Sequence, residues 1–136
     1  MDFREEREKK LLSAAKEAEE LKETEKNKVD ALKKKYKEEG WEVYEVITTV
    51  QVDDDTEEEF SFLFRKPKTA SYDRYVKTIS NSATKASSSF VFDNIVDEQK
   101  EDLKKTVKKY PAITISLADK LLRMLGLADT TSVKKL

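Results

Sequence analysis

The chain has 136 residues, no cysteine and no histidine, and its 27 basic and 28 acidic side chains leave a net charge of −1. That length suits one domain, the missing cysteines exclude a disulfide framework and thiol chemistry, and the cancelling charge gives no field to steer the protein onto nucleic acid or an anionic membrane. The start, MDFREEREKK, is charged where a signal peptide carries its apolar stretch. No apolar run reaches the ~18 residues of a bilayer span, so the sequence reads as cytoplasmic.

Residues 2–39 hold neither Gly nor Pro and are dominated by Glu, Lys, Ala and Leu, which predicts one long helix stopped at Gly40. Leu11, Ala14, Ala18, Leu21, Val29, Leu32 and Tyr36 trace a narrow stripe near helical period, interrupted by Glu25 and Lys28. A stripe so narrow packs weakly by itself. Residues 1–40 therefore read as a charged helical arm, either solvated or paired with another helix. A coiled-coil homodimer is the simplest pairing.

WEVYEVITTVQV and EFSFLFRK are rich in β-branched and aromatic residues and flank the polar stretch DDDTEE, which predicts an antiparallel hairpin. Phe60, Phe62 and Phe64 fall on one face, Ser61 and Arg65 on the other. Two strands alone are marginal, so helices must cover the Phe face. Pro67 then ends the second strand, and Thr69 or Ser71 can cap a helix carrying Tyr72, Tyr75, Val76, Ile79, Ala83, Ala86 and Phe90 at helical spacing. The stretch SNSATKASSS has low helix propensity and tolerates a break between Ser80 and Ser88.

Phe90, Val91, Phe92, Ile95 and Val96 form the densest apolar cluster and are candidate core. Asp97 is placed to cap a helix over 98–109, and Tyr110–Pro111 starts a last helix that Gly126 closes. The fold class is α+β: a long charged N-terminal helix, then an antiparallel β-hairpin packed on a bundle of about three C-terminal helices. The boundaries are 1–40 for the arm, 41–127 for the core domain and 128–136 for a flexible tail.

The chemistry of an enzyme is missing. There is no histidine to act as base near neutral pH, no cysteine nucleophile, and too few glycines for a phosphate loop. The sequence implies no catalysis, no cofactor and no metal. Asp53, Asp54, Asp55, Glu57 and Glu59 lack the turn glycine and terminal Glu of a calcium loop and read as a solvated hairpin turn. Basic clusters at Lys33, Lys34, Lys35 and Lys37, at Arg65, Lys66 and Lys68, and at Lys104, Lys105, Lys108 and Lys109 read as solubilising surface, which makes a small nucleic-acid-binding regulator the minor alternative. The aromatics are the better lead. Trp41, Tyr44, Tyr72 and Tyr75 serve either the core or a protein interface.

Three segments carry a family resemblance. FLFRKPKTASYDRYVKTISNSATKA, then FVFDNIV, then YPAITISLADKLLRMLGL resemble the small tail-assembly chaperones of tailed phages and phage-tail-like particles. The likeness covers about residues 41–127 and rests on Phe64, Arg65, Pro67, Tyr72, Asp73, Arg74, Tyr75, Tyr110, Pro111, Leu125 and Gly126. It implies a cytoplasmic, non-catalytic protein that binds a long helical tape-measure protein and keeps it soluble until the tail tube assembles. It does not extend over the charged helix 1–40. Combined with the residue patterns, it nominates Leu11, Leu21, Leu32, Trp41, Tyr72 and Tyr75 as partner-binding. A structural component that stays in the tail or tail-like particle is the main alternative.

Overall fold

The computed structural model describes residues 3–136, the side chains of Phe3, Ala18, Leu21 and Lys22 excepted. The chain divides into two units, Met1–Trp41 and Glu42–Leu136. The first is helix α1, Phe3–Glu38, as an uninterrupted run of strong helix formers dictates. Its end is set by backbone conformation. Gly40 adopts φ +74°, a conformation an L side chain resists, and this lets Trp41 N donate to Tyr36 O (3.0 Å) and Gly40 N to Lys37 O (3.3 Å). That pair of bonds is a Schellman motif, which satisfies the last free carbonyls of the helix.

The second unit is α+β. Strands β1 (Val43–Gln51) and β2 (Glu57–Arg65) form an antiparallel hairpin in which Tyr44 faces Phe64, Val46 faces Phe62 and Thr48 faces Phe60. The acidic stretch between them is its turn. Asp55 N donates to Asp53 Oδ1 (2.9 Å) and Val52 N to Thr56 O (2.9 Å), a side-chain-supported reversal. The bond from Asp55 holds the Asp53 carboxyl below the usual carboxylate range.

Helices α2 (Thr69–Ile79), α3 (Ala83–Asn94), α4 (Lys100–Lys109) and α5 (Ile113–Met124) follow, with a 3-10 turn at Asp97–Gln99 before α4. The helical run from Thr69 divides at Ser80–Ser82, inside the low-propensity stretch that tolerates a break, and Ser82 caps the new start by accepting Lys85 N on its hydroxyl. The expected caps shift. Thr69 is the first residue of α2, behind a Lys68 that supplies no side-chain cap, and Asp97 lies inside the 3-10 turn. Pro111 precedes α5 by a turn, its carbonyl accepting from the Thr114 hydroxyl (3.1 Å).

The core lies between the Phe face of the hairpin and helices α3, α4 and α5. Phe62, Phe64, Phe90, Val91, Leu103, Leu117 and Leu121 are all buried in it. Tyr110, at the end of α4, packs its ring 5.9 Å from that of Phe60 and donates its hydroxyl to Glu58, tying α4 to β2.

The free edge of β2 is closed without a third strand. At Ser61–Leu63, Val96 N donates to Leu63 O (3.0 Å), and the side-chain amide of Gln99 adds two bonds more. Gln99 Oε1 accepts from Leu63 N at 2.6 Å and Nε2 donates to Ser61 O at 3.4 Å. Gln99 is 4% exposed, and its bond to Leu63 N is buried, while the bond to Ser61 O is partly open to solvent.

Candidate functional site

The joint between β2 and α2 sets the site. Pro67 breaks the strand and α2 begins two residues later, so the first turns of α2 stand beside the corner. Three contacts fix the rotation of α2 about its axis. The hydroxyl of Ser71 accepts from Asn94 Nδ2 on α3 (3.0 Å), and the Tyr75 ring sits 5.0 Å from that of Phe90. Arg74 pairs with Asp93 at 3.2 Å. With 71, 74 and 75 committed to α3, the helical period turns 72, 76 and 79 outward. Tyr72, Val76 and Ile79 are accordingly 41%, 46% and 41% exposed.

The opposite wall comes from the end of α5. Gly126, at φ +106°, reverses the chain so that Leu127 N donates to Leu122 O (3.0 Å) and Gly126 N to Arg123 O (3.1 Å), a second Schellman motif. Leu122, Leu125 and Leu127 are thereby gathered opposite α2. Between the walls lies a groove of about 570 Å³, lined by Pro67, Thr69, Tyr72, Tyr75, Val76, Leu122, Leu125, Gly126 and Leu127.

No ionisable carboxylate, amine or guanidinium lines the groove. Lys66 and Lys68 bracket Pro67 in sequence, and Asp73 and Lys77 follow lining residues on α2. Arg123 is committed to Asp119 (Nε to Oδ2, 2.8 Å) and Asp129. A small-molecule site normally adds several convergent polar groups to orient its ligand. This groove offers tyrosines, one threonine and aliphatic surface, a lining suited to the side chains of another apolar helix face.

Of the residues nominated from sequence, Tyr72 and Tyr75 meet in the groove. Trp41 and Leu11 belong to the first unit, where both are exposed, and Leu32 is half-buried. The side chain of Leu21 lies outside the described residues. Sequence reasoning missed Val76, Leu122, Leu125 and Leu127 as site residues. The available clue was LLRMLGL itself, because an apolar residue directly after a helix-ending glycine folds back onto the last turn. Among the described residues no group of three or more acidic side chains is placed to hold a metal ion, the Asp53–Glu59 turn included. No helix among them is long and apolar enough to cross a membrane.

The profile of a domain of unknown function, DUF6848, matches residues 32–134. A solved structure of an uncharacterised protein, rbstp2171 from Bacillus stearothermophilus, superposes with a TM-score of 0.62 at 30% identity, covering 78% of this chain and 99% of that one. No functionally curated protein matches the chain. The profile match contains both walls of the groove and omits the first 31 residues of the chain.

Proposed function

The chain belongs to the DUF6848 family, and since the segment that defines the family holds the whole groove, we propose that the groove is its working surface. It takes up the apolar face of a helix from another protein. Tyr72 and Val76 from α2 and Leu122, Leu125 and Leu127 from α5 make the contact, and the charged exterior keeps the complex soluble. The observation that carries this reading is that Tyr72 and Val76 are exposed while the whole lining between α2 and α5 is free of charge. Apolar surface left open on a charged chain is where a partner is accommodated.

The client class follows from the resemblance to phage tail-assembly chaperones: a long helical tape-measure protein, shielded in the cytoplasm until the tail tube forms around it. In this reading the protein is non-catalytic and needs no cofactor. The test is co-expression of the full chain with a long helical tape-measure-type protein, reading the soluble fraction of that client. Wild type should bring it into the soluble fraction and co-elute with it. Val76→Glu places a charge in the groove at an exposed position, so it should leave the fold intact by circular dichroism and abolish the effect. Equal solubilisation by Val76→Glu removes the groove from the mechanism. A client that stays insoluble with wild type removes the chaperone.

A further inference from the structure

The segment of α1 that precedes the family domain has no function in the groove reading, yet it carries a seam of its own. Counting along the helix, Arg4, Arg7, Leu11, Ala14, Ala18, Leu21, Glu25 and Lys28 follow the alternating three- and four-residue spacing of coiled-coil contact positions. Leu11 is 70% exposed, and the seam is uninterrupted by Gly or Pro within one continuous helix. The charges at its two ends decide what can cover it. Arginines occupy the seam before Leu11, and a glutamate followed by a lysine occupies it after Leu21.

We propose that residues 4–28 of α1 pair with the same segment of a second copy of this chain, antiparallel, with Ala14 of one copy against Ala18 of the other. In that register Leu11 meets Leu21 of the second copy, Arg7 meets Glu25, and the two-fold axis repeats each pairing. A parallel pair in register would set Arg4, Arg7, Glu25 and Lys28 each against its own copy, four like-charge layers with no opposite pair in the seam. The antiparallel arrangement converts the Arg7 and Glu25 layers into two attractive pairings. The seam pairing left like-signed, Arg4 with Lys28, falls on the outermost turn. Glu17, flanking the seam at the crossing point, meets its own copy on the solvent side, where repulsion is screened. The alanines at the crossing point have no bulk to hold the helices apart. Leu32, the next seam residue, lies past the end of this register and inside the family domain, where it is half-buried.

The pairing stands apart from the client-binding groove, and its test does not touch that site. The chain contains no cysteine, so any disulfide reports an introduced one. Full-length Ala14→Cys and Ala18→Cys are mixed, oxidised and mapped by peptide mass spectrometry, while sedimentation equilibrium follows the wild-type chain. The expected results are a wild-type mass of twice 15.7 kDa at high concentration and disulfides joining 14 to 18. Glu25→Arg should weaken association about tenfold, and the charge swap Arg7→Glu with Glu25→Arg should restore it. Disulfides joining 14 to 14 and 18 to 18, a monomer at every concentration, or a charge swap that fails to restore association each overturns the proposal.

Discussion

Replacing Gln99 by Met keeps the length and packing of a buried side chain and deletes one acceptor and one donor. The Leu63 N–H, bonded to Gln99 Oε1 at 2.6 Å, is then stranded on the edge of β2, where Val96 N occupies the Leu63 carbonyl and Leu63 is only 1% exposed. An unsatisfied buried N–H costs about 1–3 kcal/mol. Loss of the longer Gln99 Nε2 bond to Ser61 O, at 3.4 Å, adds a smaller amount, because that bond is near the limit of useful geometry. A total of about 2–3 kcal/mol corresponds to a fall in Tm of roughly 8–12 °C, at about 4 °C per kcal/mol for a chain of this size. Urea unfolding followed by circular dichroism gives the free energy, and amide exchange gives the location: the Leu63 amide should lose protection out of proportion to its neighbours. Lys105→Met, at an exposed position on α4, is the control and should stay within about 0.5 kcal/mol of wild type. A Gln99→Met protein as stable as that control, with Leu63 still protected, would refute the view that a glutamine side chain stands in for the missing strand.

Phe64→Ala, at the centre of the core and 0% exposed, should cost about 3–5 kcal/mol in the same unfolding assay. Gly126→Ala meets no atom within 4 Å of the new Cβ, so its cost is backbone strain alone, about 1–2 kcal/mol, and it should weaken client retention as the Leu127 wall shifts. Arg74→Ala removes a solvent-facing pair with Asp93 and should lower stability by less than about 1 kcal/mol, with the loss shrinking further in high salt. The hydrogen bond to Glu58 raises the pKa of the Tyr110 phenol above its ordinary value, because the protonated form is the one that donates. Its contribution is therefore complete below about pH 10 and disappears as pH rises through the folded-state value, so Tyr110→Phe and wild type should differ in urea midpoint at pH 8 and converge in strong alkali.

The elements that could be read from sequence are those that local rules decide. The helix ending at Gly40, the hairpin around DDDTEE and the break at Pro67 each follow from residues within a few positions of one another. Gln99 could not be read this way, because DEQKED resembles any solvated helix start and its partners lie 36 and 38 residues earlier. The groove was half legible. Tyr72 and Tyr75 stood out as aromatics, but helical spacing alone cannot say which side of α2 is covered. That choice belongs to Ser71, Arg74 and Tyr75 acting with α3, a tertiary decision. The same contacts explain the segment YDRY in physical terms: its Arg74 and second tyrosine hold the helix so that the first tyrosine faces out.

The placement of Gly126 separates two properties of the groove that are usually entangled. The far wall stands where it does because one backbone dihedral is positive, and a dihedral carries no information about what the wall is made of. Size and polarity at 76, 122 and 127 can therefore drift from one relative to another while the cleft stays in register with the corner below it. Under the proposed function, a lineage that keeps this glycine would exchange one client for another by editing three side chains, with no need to rebuild the scaffold that presents them.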